Sequence, residues 1–444
     1  MPHTYRHRLF NHPDNVLISD QFNNRVIEVT PRGDIVWSYG LGPTIFTSLS
    51  IIGVNDAERV GTYTLMTGTG IPSDTIPEAP NGVADNRVLL VSKHGEVIWK
   101  YGQFGTAGSG FNLLNTPVQC TFVPCSRCRT RDKLCSGSTV LITDQGNNRV
   151  IRVNEHKKII WEYPGPNTTP EDQLNSPNSA QRLENGHYLI ADEGNQRAIE
   201  INRHHKIVKV FTAGGTLGSC AFASRLNNGN TLLTDAGNSR VVEVDPDNVI
   251  VWQYITNTDP KSVPFPSPSR AIRLMNGNTI ISDQNNNRVI VIDTKNTIIA
   301  SYGLPLMDGK NNIGDNKGYS LMTTQLGLYA PYDAKIIGDY TGLTDPRDHD
   351  SGRHIDTRSN RRSDHCYSDY SDNHNSPSSS SNSRRRSSNR VRRLSLNRRN
   401  DRNDRNDRND RNDRNDRNDR NDRNDRNNHN ERPKAKSKPR QRSR

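Results

Sequence analysis

What most constrains this chain is a phrase that returns along it: an apolar run, an Asp, a short Asn-rich turn, an Arg and a second apolar run. It reads VLISDQFNNRVIEV at 16–29, VLITDQGNNRVIRV at 140–153, YLIADEGNQRAIEI at 188–201, TLLTDAGNSRVVEV at 231–244 and TIISDQNNNRVIVI at 279–292. A degenerate copy is split between YTLMTG at 63–68 and DNRVLLV at 85–91. With Gly68 standing in for the Asp of that copy, the anchors fall at 20, 68, 144, 192, 235 and 283. Four intervals are 43 or 48 residues. The fifth is 76 and shrinks to 50 when two insertions, of 14 and 12 residues, are set aside. All four tryptophans, Trp37, Trp99, Trp161 and Trp252, fall at one position of the unit, and an aromatic follows two residues later in every copy. Such a period marks a repeat fold, in which each unit hides the apolar face of its neighbour.

Each unit reads as four short strands, a to d. Strand b is a nearly continuous β-branched run, suited to burial on both faces. Asn-Gly pairs such as those in SAQRLENG at 179–186 mark a–b hairpins, because both residues tolerate positive φ. Gly33, Gly95, Asn248 and Asn296 share one c–d hairpin position; Lys157 and His205 break the rule, so those two turns should differ or be strained. The expected fold is all-β: a six-bladed β-propeller of four-stranded antiparallel blades over 1–344, with a cysteine-containing insertion at about 118–138 and a loop insertion at 69–86, followed by a disordered C-terminal tail. Ring closure requires a strand from the far end of the chain. PYDAKII at 331–337 repeats the opening of strand a and competes with TYRHRLF at 4–10 for that slot.

The Asp-x-x-Asn-Asn-Arg-Val signature, with FGTAGSG at 104–110, resembles NHL-repeat propellers. The Asn-Gly-Asn-Thr-Leu and Ile-Val-Trp-x-Tyr phrases resemble arylsulfotransferase propellers, and the Asn-rich repeats with a simple-sequence tail resemble proteins of giant DNA viruses. The first resemblance implies an interaction module. The second implies a channel histidine as nucleophile, and here it fails: His94, His156, His204 and His205 fall at c–d hairpin tips, His187 starts a strand b, and His3, His7 and His12 lie near the N-terminus. None falls on the central part of a strand a.

The pairs Asp20 and Arg25, Asp144 and Arg149, Asp192 and Arg197, Asp235 and Arg240, and Asp283 and Arg288 recur in every regular unit. A feature of every blade serves the blade, so each Asp is expected to cap the b–c turn and each Arg to bond carbonyls or the next blade, rather than to form a polar ring around a channel mouth. Cys120, Cys125, Cys128 and Cys135 cluster between strands a and b of the third unit, where four thiolates could hold zinc. Free thiols or a local disulfide are the alternative, since Cys120 aligns with the small strand-a residues Ala180 and Ala271. No other cofactor motif appears.

Charge divides the chain. Residues 345–444 carry 29 Lys and Arg against 17 Asp and Glu, leaving 31 of each in the body, so the tail holds the whole net charge of +12. The tail is low in complexity, with nine Asn-Asp-Arg triplets at 400–426, and has too little apolar surface to form a core. Its basic clusters at 384–399 and 432–444 suit nucleic acid, another polyanion or nuclear import; a plain solvated tail is the alternative. Ser387 and Ser395 sit in basophilic kinase contexts. No signal-peptide pattern and no membrane-length apolar run occur, so an intracellular (cytoplasm or nucleus) or virion location is expected. Length-variable loops fall on the face carrying the b–c and d–a connections, which makes it the expected docking face. The functional expectation is a non-enzymatic scaffold that binds a protein or other macromolecule there, the basic tail adding electrostatic attachment. The alternatives are a propeller enzyme of arylsulfotransferase-like or lyase/hydrolase type with its site at the channel mouth, and a virion-associated structural protein.

Overall fold

The β-branched runs become the inner strands of six sheets. The computed structural model describes residues 9–125, 137–165, 168–303 and 327–344. Strands a to d of blade 2 are β4 (Val54–Val60), β5 (Tyr63–Ile71), β6 (Val83–Ser92) and β7 (Val97–Gly102). Blade 3 has β8 (Pro117–Val123), β9 (Thr139–Asp144), β10 (Arg149–Asn154) and β11 (Ile159–Tyr163), and blade 4 has β12 (Pro177–Arg182), β13 (Tyr188–Asp192), β14 (Arg197–Ile201) and β15 (Ile207–Phe211). Blade 5 has β16 (Cys220–Arg225), β17 (Thr231–Asp235), β18 (Arg240–Val244) and β19 (Ile250–Ile255), and blade 6 has β20 (Arg270–Arg273), β21 (Thr279–Asp283), β22 (Arg288–Ile292) and β23 (Ile298–Tyr302). Blade 1 is composite: β1 (Val16–Asp20), β2 (Arg25–Val29) and β3 (Ile35–Tyr39) are strands b to d, and β24 (Pro331–Ile336) supplies strand a. The chain is a six-bladed β-propeller.

Closure rests on that last strand. β24 pairs antiparallel with β1, Ile18 opposite Ala334 and Leu17 opposite Lys335. The rival segment 4–10 lies mostly outside the described residues. Six apolar clusters lie one between each pair of neighbouring blades, and the cluster joining blades 6 and 1 (Ile280, Val289 and Tyr302 against Val16, Ile18 and Ala334) completes the ring. The aromatics of strand d, including Tyr101, Tyr163, Phe211 and Tyr254, are buried in these interfaces. The tryptophans share one setting. The indole N–H of Trp37 donates to Lys93 O (3.0 Å), that of Trp99 to Glu155 O (3.2 Å) and that of Trp252 to Asn296 Oδ1 (3.1 Å), each on the next blade's c–d hairpin. Trp161 instead meets His205 of that hairpin edge-on and stacks on Tyr188.

Three sequence expectations need refinement. Lys157 (φ 65°) and His205 (φ 59°) adopt the same left-handed turn as Asn248 and Asn296 (φ 66°), so these hairpins do not differ in shape and instead carry strain of about 1 kcal/mol each. Residues 118–123 belong to β8, paired with β9, so the added residues of the cysteine insertion begin at 124. The insertion at 69–86 is partly a prolongation of β5 and β6, with Gly70 opposite Ala84 and Ile71 opposite Val83.

Candidate functional site

The recurrent Asp-x-x-Asn-Asn-Arg motif builds the b–c corner of each blade. Asp144 Oδ1 accepts the N–H of Asn115 (2.7 Å), in the d–a loop leading into its own blade; Asp20 does the same with Tyr329 (2.7 Å) and Asp192 with Asn175 (2.8 Å). The other oxygen accepts the first Asn of the motif and the Arg Nε: Asn147 at 2.7 Å and Arg149 at 2.7 Å on Asp144. Arg240 and Asp235 (2.8 Å), Arg288 and Asp283 (2.7 Å), Arg197 and Asp192 (2.7 Å), and Arg25 and Asp20 (2.6 Å) repeat the pair. No Asp side chain caps the amides of its own 3-10 turn. Burial raises the carboxyls of Asp20, Asp144 and Asp283 above their ordinary range. The second Asn is left-handed (Asn24 φ 50°, Asn148 φ 52°, Asn287 φ 52°), and its side chain accepts an N–H from the next blade's entry loop: Gly53, Ser176 and Ala330 respectively, at 2.8–2.9 Å.

The six strands a face the axis and form layers. The residues opposite the one before the Asp position are Asp333, Asp56, Gln119, Ser179, Phe222 and Arg270 around the ring. Next comes a buried ring of small residues: Ala334, Ala57, Cys120, Ala180, Ala223 and Ala271. An innermost strand has no further strand to take its amides, and side chains from the preceding blade do so. Asp333 accepts Ala57 N–H (3.5 Å), Asp56 accepts Cys120 N–H (3.1 Å), Gln119 accepts Ala180 N–H (2.6 Å) and Ser179 accepts Ala223 N–H (3.2 Å). One layer on, Glu58 accepts Phe122 N–H (2.8 Å) and Gln181 accepts Arg225 N–H (2.8 Å). Buried backbone polar groups must be paired, and this ring pairs them.

Both ends of the axis are closed. On the b–c/d–a side the buried Arg270 guanidinium spans it: one nitrogen donates to Asn178 Oδ1 and Ala221 O (2.9 Å each), the other to Asn178 O (3.2 Å), and the plane lies over the rings of Phe222 and Tyr332. On the a–b/c–d side residues 339–344 lie across it, from Asp339, which accepts the Met275 N–H of blade 6 (2.8 Å), to Thr344, which donates to Arg182 O of blade 4 (3.3 Å). Between the two closures, Lys335 Nζ donates to Asp56 Oδ1 (2.6 Å), Ala57 O (2.9 Å) and the Asp333 carboxylate. Glu58 lies beside them without such a bond to the ammonium, and burial pushes its carboxyl up to about 8. Among the described residues, cavities of about 10 and 20 Å³ lie here; that of about 20 Å³ is lined by Glu58, Cys120, Ala180, Gln181, Phe222 and Lys335 among others, and has room for one water molecule.

Among the described residues no histidine reaches the axis. His94, His156 and His204 are exposed on hairpins, and His187 bonds Glu200 at 2.7 Å. Cys120 and Cys125 are buried; Cys128 and Cys135 lie outside the described residues, as does the tail with Ser387 and Ser395. No group of three or more metal-binding side chains occurs among the described residues, nor a helix long and apolar enough to cross a membrane. Sequence reasoning passed over the axial residues. The signal was present, a small residue flanked by polar ones at one register: Asp56-Ala57-Glu58, Gln119-Cys120-Thr121, Ser179-Ala180-Gln181 and Asp333-Ala334-Lys335.

No protein-family model matches the chain, and no curated protein matches it. Among solved structures it is similar to virginiamycin B lyase from Staphylococcus aureus, with 14% identity and a TM-score of 0.42, over 66% of this chain and 82% of that one. It is also similar to a protein of unknown function from Bacteroides caccae, with 14% identity and a TM-score of 0.43, over 65% and 93%. A third is a chain of a nidogen/laminin complex, with 11% identity and a TM-score of 0.41, over 65% and 92%. Likeness at this level carries no argument about activity or ligand.

Proposed function

We propose that this propeller is a non-enzymatic scaffold that binds a protein or another macromolecule through its b–c/d–a face, with the basic tail supplying electrostatic attachment. The observation that carries the reading is the closed axis: with Arg270 across one end and residues 339–344 over the other, the cavities between them are too small for a substrate. The loops add support. Leu49, Phe111 and Phe265 stand on three different d–a loops with 79, 74 and 77% of their surface exposed. Apolar side chains held out by loops of a rigid frame offer separated anchor points for a partner. The test uses the full chain immobilised in about 0.5 M salt, where phosphate-driven attachment of the tail is screened. A triple variant, Leu49→Asp with Phe111→Asp and Phe265→Asp, should lose at least tenfold of whatever protein the unmodified chain retains. Equal retention by the two would refute this docking face.

A further inference from the structure

The c–d hairpins divide the rim of the a–b/c–d face into two halves of opposite charge. Over the hairpins and strands d of blades 2, 3 and 4 (92–102, 154–163 and 202–211) the sequence holds seven Lys and Arg against three Asp and Glu. Over the same positions of blades 5, 6 and 1 (245–255, 293–302 and 30–39) it holds two against four. The turns of the first half read SKHGE at 92–96, NEHKK at 154–158 and NRHHK at 202–206; those of the second read DPDNV at 245–249, DTKNT at 293–297 and TPRGD at 30–34. The basic half is one continuous arc. Trp99 of blade 2 donates to Glu155 O of blade 3 (3.2 Å), and Trp161 of blade 3 meets His205 of blade 4 edge-on. Lys93, Lys100, Lys158, Arg203, Lys206 and Lys209 are exposed along it. Two of its three carboxylates already have neighbours: Glu162 pairs with Arg149 (3.1 Å), and Glu155 lies 3.6 Å from His156. On the a–b hairpin of blade 4, Arg182 and Glu184 offset one another in charge.

The pattern of charge selects among polyanions. A flat anionic surface resting on this face would meet Asp245, Asp247 and Asp293 as well as the lysines, whereas a linear polymer can follow the basic arc alone. The three basic turns carry no apolar side chain, and the exposed Val97, Ile98, Ile160, Val208 and Val210 belong to strands d. A protein interface is built around a desolvated core depleted of charge. A phosphate backbone is held by separated cations and needs no such core. The cations are also carried on fixed turns. Asn154 Oδ1 accepts the N–H groups of His156 and Lys158, and Asn202 Oδ1 those of His204 and Lys206, all at 2.9–3.1 Å. We infer that the c–d hairpins of blades 2 to 4 form a binding surface for the phosphate backbone of a nucleic acid, held without regard to base sequence. The surface lies opposite the apolar loops of the docking reading and requires none of the tail.

Lysine footprinting of the full chain tests this surface separately from the tail. The chain is acetylated with sulfo-N-hydroxysuccinimide acetate at low salt, alone, with a DNA duplex of about 20 base pairs, or with poly-glutamate of matched charge, and each lysine is read by mass spectrometry. The duplex should slow acetylation of Lys93, Lys158 and Lys206 at least fivefold. Lys295, exposed on the blade 6 hairpin, and Lys261, exposed on a d–a loop of the other face, should react as before. A second measurement follows duplex affinity against salt. Lys158→Gln with Arg203→Gln and Lys206→Gln should make the log–log slope shallower by about 2 to 3, since each phosphate contact contributes roughly 0.9. Protection confined to the tail lysines, equal protection of Lys295, or a slope unmoved by the triple variant would overturn the inference. Poly-glutamate shielding the arc as fully as DNA would overturn it too, and would point to an acidic protein instead.

Discussion

Glu58 concentrates the chemistry of the axis in one side chain. Its ordinary carboxyl value is 4.5, and burial raises it to about 8, with the Phe122 N–H and the Lys335 charge opposing less strongly. Between those two values the folded protein holds a proton that the unfolded chain has released. The contribution of Glu58 to stability is therefore full below about 4.5 and falls as pH rises through 8. Burial raises Asp333 in the same sense. Glu58→Gln keeps an acceptor for the Phe122 amide and removes the ionisation. In urea titrations between pH 5 and 9 the unmodified protein should lose stability on the order of a few kcal/mol from this residue, since each tenfold change in proton affinity on folding is worth about 1.4 kcal/mol. The variant should show a flatter profile and be the more stable of the two above pH 8. Parallel profiles would mean that Glu58 is already ionised in the fold.

Blade 2 shows an element keeping a role while moving the residue that performs it. Gly68 occupies the Asp position, opposite Arg87 as Asp20 is opposite Arg25. The carboxylate comes instead from Asp85, which bonds Arg87 and accepts the Ile52 N–H at 2.7 Å. A side chain at 68 would run into that carboxylate, so the glycine and the relocated aspartate require each other. Gly68→Asp alone should destabilise by about 2–4 kcal/mol, through a clash and an unpaired buried charge. Asp85→Gly alone should cost a similar amount by leaving Arg87 unpaired. The double variant should recover more than half of the summed loss, measured as a coupling energy in a double-mutant cycle; additive losses would contradict the exchange. Contacts between blades are also individual. Arg59 meets Glu28 (2.7 Å), Arg225 meets Glu200 (2.9 Å) and Arg273 meets Glu243 (3.2 Å), whereas Leu90 and Phe122 share an apolar cluster at the corresponding place between blades 2 and 3. Like sheets joined by unlike contacts favour one circular order, because a misplaced blade would bury an unpaired charge.

The whole molecule depends on joining a strand from residue 331 onward to one that begins at residue 16. A chain ending at 326 would leave β1 with an open inner edge and remove Leu328 and Ala334 from the cluster that closes the ring. Its thermal midpoint should fall by roughly 10 °C or more, or the protein should aggregate, whereas a chain ending at 344 should keep the full-length midpoint. Scanning calorimetry of both truncations checks this, and an unshifted midpoint for the shorter one would show that closure adds little. Much of this architecture was legible beforehand. Blade number, strand order, the one shared position of the tryptophans and 331–337 as one of two candidates for the closing strand follow from local rules repeated along the chain: β-branched runs, Asn and Gly at left-handed turns, and one fixed period. The axis was not legible to the same degree. Whether Arg270 crosses it, whether Lys335 meets Asp56 and Asp333, and what lies over the far end depend on residues brought together from all six blades, up to 279 positions apart. Periodicity reports which face a side chain takes within its own sheet. The distance across the ring is set by how six twisted sheets pack, and this alone decides that the polar strand-a residues meet one another around the axis.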